Sequence, residues 1–254
     1  MKILDVDQRS EEWLEARQTV ITGTRVKDIK PPMRKVKTGS QTMGLWQLVA
    51  EYVSYGAEEE SPMVRGTHLE NENAEKVVEK VGLENPLYEC GMWLSDDGKL
   101  GYSPDACENS DVPTWAIECK SLSTAEHLFL VMKDMFALGL LPDEMEPLFP
   151  AGRGAYRGID SVAEEHQHQV RQAFVVNPKL EKLYYSLYDP RILETDSLGL
   201  LRHYVIVVTR EEMEEDIAGQ AQMVETQANL ARSIVKVMMS LQKLVEAQAK
   251  RNKK

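Results

Sequence analysis

The feature that most constrains this chain is a pair of short motifs, Ser103-Pro104-Asp105 and, a few residues on, Glu118-Cys119-Lys120. The second closes an apolar stretch, Trp115 to Lys120, that reads as a β-strand. Alternate residues of a strand share a face, so Glu118 and Lys120 point together while Cys119 points away. Asp105 ends the preceding strand and can meet them across the hairpin. Two carboxylates and an ammonium in one place can hold a divalent cation, orient a water and stabilise charge on a phosphate. The competing reading is a surface hairpin carrying a solvated Glu–Lys pair. Taken alone, a Pro-Asp followed by Glu-x-Lys is common by chance, so the rest of the chain has to decide.

The chain has 254 residues, 43% hydrophobic and 28% charged, which suits one large domain or a domain with an appendage. No apolar run is long enough to span a bilayer. The opening Met1-Lys2-Ile3-Leu4-Asp5-Val6-Asp7 is too acidic and too poor in apolar residues for a signal peptide. Cys90, Cys107 and Cys119 are scattered with no Cys-x-x-Cys, which fits a reducing cytoplasm and argues against a four-cysteine cluster or structural zinc site. The net charge of −11 is unsuited to a passive DNA-coating protein, but it leaves room for an enzyme whose cations are confined to a channel. One basic stretch, Lys27, Lys30, Arg34, Lys35 and Lys37, is a candidate substrate contact, with Arg34 at its centre. A second, Lys250 to Lys254, reads as a solvated tail.

Ser10 reads as an N-cap, followed by Glu11 and Glu12 and an apolar face of Trp13, Leu14 and Ala16. Thr22 can cap a second helix that ends before Pro31-Pro32. Leu45, Leu48, Val49, Tyr52 and Val53 mark a third helix, and Met63 to Val81 a fourth that Gly82 stops. Leu87 to Leu94 and Lys99 to Cys107 read as strands joined by an Asp96-Asp97-Gly98 turn. A helix to about Leu140 follows Ser123-Thr124. The Pro/Gly-punctuated segment from Leu141 to Asp160 reads as a long loop. A further helix spans Ser161 to Val176, strands follow at Leu180 to Tyr188 and Tyr204 to Val208, and a long helix starts at Glu211. In it Ile217, Val224, Ala231, Met238 and Val245 recur every seven residues. We expect that helix to dock along its own domain. The expected class is α/β, a mixed central sheet flanked by helices. The expected division is a body over residues 1–210 and a helix with a basic tail over residues 211–254.

The collinear order of the motifs resembles phage lambda exonuclease and related viral recombinase nucleases, within the restriction-endonuclease-like superfamily. The residues that carry the resemblance run from Trp13…Arg17 and Val20-Ile21-Thr22 through His68-Leu69-Glu70-Asn71-Glu72-Asn73-Ala74 and the two motifs above. They continue to His166-Gln167-His168-Gln169-Val170, Tyr188-Asp189-Pro190-Arg191 and His203-Tyr204-Val205-Ile206. The resemblance implies a restriction-endonuclease-like core. It implies Mg²⁺, with Mn²⁺ as an alternative, held by Asp105, Glu118, Glu70 and the backbone carbonyl of Cys119. Lys120 would orient the attacking water, and Gln169 would hold a water or phosphate beside it. Arg17, Thr24 and Ser103 match residues that bind a terminal 5′-phosphate.

The implied activity is 5′→3′ exonuclease action on double-stranded DNA ends, leaving 3′ tails for a single-strand annealing protein. The implied setting is a homotrimer in the cytoplasm of a bacterial host, encoded by a phage or prophage. The chain departs from the family pattern at Ser121-Leu122, where Cys-Pro is frequent. It departs again at Ala106, where glycine is usual, at Thr24, where serine is usual, and in the Leu141–Asp160 segment, which looks like an insertion. The alternatives are a structure-selective endonuclease of the same fold and a non-catalytic module that binds a recombination partner.

Overall fold

The computed structural model describes residues 1–29, 64–88, 90–122, 124–148, 152, 158–190 and 199–251. The expected helix at 45–53 and the basic stretch from Lys30 to Lys37, with Arg34, lie outside them. In chain order the elements begin β1 (Lys2–Leu4), α1 (Glu11–Thr19), α2 (Gly23–Ile29), α3 (Val64–Val81), β2 (Pro86–Tyr88), β3 (Met92–Leu94) and β4 (Gly101–Tyr102). They continue β5 (Ala106–Glu108), β6 (Trp115–Lys120), α4 (Thr124–Ala137), α5 (Glu164–Val176), β7 (Lys182–Tyr188), α6 (Gly199–Arg202), β8 (His203–Thr209) and α7 (Glu214–Arg251).

Ser10 caps α1 as expected, its hydroxyl accepting from the Trp13 N–H. Gly82 closes α3 at φ +73°, a conformation that an L side chain rarely adopts. The main sheet has the order β2-β5-β6-β7-β8, and a three-stranded sheet has the order β1-β3-β4. Among the named strands of the described residues, β6 and β7 are the pair that runs parallel, Glu118 beside Tyr185 and Lys120 beside Leu187. Such a pair needs a crossover, which α4 and α5 supply.

The alternation of β6 sorts its neighbours into layers. Ile117 and Cys119 face Ala74 and Val77 of α3. Ala116, with Leu183, Tyr185, Leu187 and Ile206, faces Leu130 and Val131 of α4 and Val170, Ala173 and Phe174 of α5. The result is a mixed α/β layered fold with helices on both faces of the main sheet. The long helix α7 packs Val224, Ala228 and Ala231 against Ile21 and Val26. Its Gln220 also exchanges hydrogen bonds with His168 of α5. Met238, next in the seven-residue pattern, is exposed, so the stripe outruns the body it docks on. Among the described residues, no helix is long and apolar enough to cross a membrane.

Two expected strands are each divided in two. Leu87–Leu94 becomes β2 in the main sheet and β3 in the small one; Lys99–Cys107 becomes β4 in the small sheet and β5 in the main one. The first division is marked by Gly91, where the backbone of β1 comes so close that an added Cβ would lie 1.8 Å from the Leu4 carbonyl oxygen. The second is marked by Pro104, which has no N–H to give a ladder. Gln8 ties both divisions together by donating its side-chain amide to the Cys90 and Pro104 carbonyls, at 2.9 and 2.8 Å. The cysteines, separate in sequence, include a spatial pair: the buried thiols of Cys90 and Cys107 lie 2.8 Å apart.

Gly91→Ala should cost about 1–3 kcal/mol, since the contact is backbone on backbone and cannot yield as a side chain would. Urea denaturation of the variant measures it, and an unchanged midpoint would mean that β1 can move aside freely.

A polar network joins α3 to the sheet. The Ser186 hydroxyl donates to Asn73 Oδ1 at 2.6 Å, so His203 Nε2, 3.0 Å away, donates to Ser186. Burial, with Lys80, Lys76 and His127 nearby, lowers the His203 pKa from 6.5 to about 4. Between those values the unfolded chain binds a proton that the folded protein does not. The contribution of His203 is therefore complete above pH 6.5 and is lost as pH falls toward 4. Stability measured by urea unfolding should drop across this window, and His203→Gln should flatten the drop. Parallel pH profiles of the two proteins would rule the linkage out.

Candidate active site

Glu118 is almost fully buried, 1% exposed, yet carries a carboxylate. Burial of so polar a group is tolerable only where donors replace water. Three do so. The Tyr102 hydroxyl donates to Oε2 at 2.6 Å. The Lys120 ammonium and the Gln169 amide both donate to Oε1. Lys120 comes from the same face of β6 as the alternation requires. Gln169 comes from α5 and Tyr102 from β4 of the small sheet, so the carboxylate gathers three elements.

Asp105 occupies the step between β4 and β5. Its N–H donates to the Ile117 carbonyl at 3.1 Å, and its Oδ2 accepts from the Cys119 N–H at 2.7 Å. Burial, then the charge of Glu118, pushes its carboxyl well above the ordinary range, and the charge of Glu70 adds to the effect. Burial alone would lower the Lys120 pKa, but Glu118 and Asp105 together raise it above its usual value. The Tyr102 phenol is pushed up by burial and by Glu118. Behind Lys120 lies Tyr185, whose hydroxyl hydrogen-bonds His166 Nδ1 at 2.7 Å.

Glu70 reaches this region from α3, but its carboxylate accepts from Arg9 at 2.7 Å. Among the described residues, no three acidic, histidine or cysteine side chains converge closely enough for direct metal ligation. Asp105 and Glu118 form the acidic pair, and Glu70 acts on it through its field. The donor set fits a hard divalent cation: two acidic side chains share a site with one ammonium.

Beside the carboxylates lies a second cluster. Arg17 Nη2 donates to Thr24 Oγ1 at 3.3 Å and to Thr22 Oγ1 at 3.5 Å, and the two hydroxyls are 3.1 Å apart. Trp13 serves both sides of the cluster. Its ring lies 4.3 Å beneath the Arg17 guanidinium, and its Nε1 donates to Ser103 Oγ at 3.3 Å. Burial, then Arg25, lowers the Arg17 pKa to about 10, with Glu118 opposing; the guanidinium is charged at neutral pH. A Cβ at Gly23 would stand 3.0 Å from the Gln169 Cα, so the glycine lets α2 press onto α5 and bring the two clusters together.

Asp105, Glu118, Lys120 and Gln169 are thus assembled around one point, and Arg17, Thr24 and Ser103 around another beside it. Glu70 borders the first, and Arg34 lies outside the described residues. Reading from sequence missed Tyr102 as a donor to Glu118, and Thr22 and Arg25 around Arg17. It placed Trp13 on an apolar face without its hydrogen bond. For Tyr102 a signal existed: it directly precedes Ser103-Pro104-Asp105.

Three solved structures are similar in fold. Two are crystal structures of the alkaline exonuclease LHK-Exo from Laribacter hongkongensis, one of them in complex with dAMP. Each has 18% identity and a TM-score of 0.62, covering 94% of this chain and 100% of that one. The third is a phage-related exonuclease from Haemophilus somnus, with 13% identity and a TM-score of 0.50, covering 86% and 96%. This chain shares the exonuclease fold. The likeness to LHK-Exo runs over nearly the full length of both proteins. No protein-family model matches the chain, and no curated protein matches it in sequence.

Tyr102→Phe should lower stability at neutral pH by about 1.5–3 kcal/mol, the usual worth of a hydrogen bond to a charged group. Chemical denaturation of the purified variant tests this. A loss under a few tenths of a kcal/mol would show that Lys120 and Gln169 suffice for Glu118.

Proposed function

We propose that the protein is a Mg²⁺-dependent 5′→3′ exonuclease that acts on double-stranded DNA ends and leaves 3′ single-stranded tails. The observation that carries this reading is the adjacency of the two clusters, an arginine–hydroxyl clamp beside a carboxylate–lysine centre. A centre of the second kind alone would suit any phosphodiester hydrolase. The clamp supplies what an end-specific enzyme needs in addition, a place for a terminal phosphate. The fold shared with the alkaline exonuclease LHK-Exo, which was crystallised also with dAMP, supports the same reading.

In this mechanism Arg17 and the hydroxyls of Thr22, Thr24 and Ser103 hold the terminal 5′-phosphate, with Trp13 fixing both sides of the clamp. Asp105, Glu118 and, at the border, Glu70 would hold the metal, together with the Cys119 carbonyl. When bound, Mg²⁺ supplies Lewis-acid neutralisation of the phosphate and of the leaving oxygen. Lys120 and Gln169, both anchored on Glu118, orient the water for in-line attack. Tyr102 keeps the Glu118 carboxylate in one orientation. The proposed assembly is a homotrimer around DNA, which would turn the cations inward and leave the acidic surface outward. Its proposed partner is a single-strand annealing protein of a phage or prophage, working in the host cytoplasm.

End-labelled linear duplex, with and without a 5′-phosphate, should be degraded in Mg²⁺ and spared in EDTA, and closed circles should persist. Glu118→Gln and Lys120→Ala should each remove activity by orders of magnitude while the protein stays folded. Arg17→Ala should slow cleavage of phosphorylated ends by roughly ten- to a hundredfold and of hydroxyl ends far less, because the latter never used the contact. Cutting of closed circles would point to an endonuclease. Equal slowing on both kinds of end would remove Arg17 as the clamp.

A further inference from the structure

A second feature lies on the edge of the sheet that carries the candidate active site. A cavity of about 560 Å³ is lined by Glu72, Lys76, Lys80, Tyr188, Arg202 and His203, with Glu79 at its side. Tyr188 closes β7 at the end where, one strand across, Lys120 closes β6, and His203 pairs with Tyr188 at the start of β8. In α/β folds, ligands gather outside the carboxyl ends of parallel strands, and β6 and β7 are the parallel pair here. Helix α3 runs from the one place to the other: Glu70 borders the active site, and Lys76 and Lys80 follow on the face that lines the cavity.

The cavity carries three cations, Lys76, Lys80 and Arg202, against two carboxylates, Glu72 and Glu79. Glu72 is committed to the Tyr188 hydroxyl at 2.7 Å and only loosely to Lys76, at 3.5 Å. The Lys80 ammonium donates to the His203 carbonyl at 3.0 Å. Among the described residues, no carboxylate pairs with it. Lys80 is exposed, and partial desolvation of its ammonium lowers its pKa. An ammonium without a carboxylate partner, set beside Lys76 and Arg202 around one cavity, attracts an anion. The His203 ring, fixed by Ser186 from below, forms a neutral floor.

We propose that this cavity is a backbone-phosphate subsite for the DNA strand that leads into the candidate active site. The subsite rests on the nuclease reading given above and extends it. Two strand spacings separate β6 from β8, and six residues of helix separate Glu70 from Lys76; each corresponds to about 10 Å. At about 3.4 Å of helix axis per nucleotide, the subsite takes a phosphate within a few nucleotides of the reacting bond. Lys80 contributes the unpaired charge. Lys76, released from its loose contact with Glu72, and Arg202 complete the anion's surroundings.

The test is binding of a fluorescein-labelled, 5′-phosphorylated duplex in EDTA across a potassium chloride series, followed by anisotropy. Lys80→Gln should weaken binding at low salt and reduce the slope of log K against log salt by about one. Lys76→Gln and Lys80→Gln together should reduce it by about two, and Lys80→Arg should restore it. Should Lys80→Gln fail to fold, Lys76→Gln still gives the measurement on its own. Wild type that cuts duplex DNA while both glutamine variants keep its salt slope overturns the subsite and leaves the nuclease reading standing. Wild type that neither binds nor cuts duplex DNA overturns the nuclease reading, and the subsite with it.

Discussion

The buried, hydrogen-bonded carboxyl group of Glu118 is the group around which the molecule is arranged. An anion at that depth would be costly by several kcal/mol without compensation. Its donors arrive from β4, β6 and α5, so the small sheet, the main sheet and a helix layer must all be in place before any one of them is satisfied. The demand reaches further out. Tyr102 can reach Glu118 only if the chain crosses from the small sheet to the main one between β4 and β5. That crossing is where Asp105 is latched to β6 by its own N–H and by its carboxylate. The acidic pair and the junction of the sheets are one construction.

That construction also explains which parts of the fold were legible in the sequence. Trp115 to Lys120 lies within one sheet and is buried on both faces, and its strand was read correctly. So were the α3 helix, with its glycine stop, and the capped α1, because caps and periodicity are local signals. The segments 87–94 and 99–107 were read as single strands because the residue pattern of each is strand-like from end to end. Membership of a sheet is decided by non-local pairing, which no local period reports. Gly91 and Pro104 were the available marks. The glycine reads as a weak strand residue until the closeness of the Leu4 carbonyl is known.

The candidate site divides in the same way. Glu118 and Lys120 share a face by the period of a strand, and Asp105 lies across from them, so their meeting follows from residues alone. Arg17, Thr24 and Ser103 are far apart in sequence, and only the resemblance grouped them; the fold gathers them around Trp13. Tyr102 and Trp13 were overlooked as polar participants because aromatic residues in apolar stretches read as core. Both are buried, yet each offers its one polar hydrogen to the site, as buried Tyr and Trp generally must.

The charge distribution bears on how an acidic chain could handle DNA. A net charge of −11 means that long-range attraction to a polyanion is absent or reversed. Cations can then act only at short range, where burial strips away water and screening is weak. Arg17 is of this kind, partly buried on an indole with Glu118 within its field. Such a group discriminates. It gives little to a passing duplex whose phosphates cannot enter the cleft, and it gives its full interaction to one that can. On the nuclease reading, the acidic exterior and the buried guanidinium serve one end. The exterior suppresses non-specific association along DNA, and the guanidinium holds the terminal phosphate where Asp105, Glu118 and Lys120 meet.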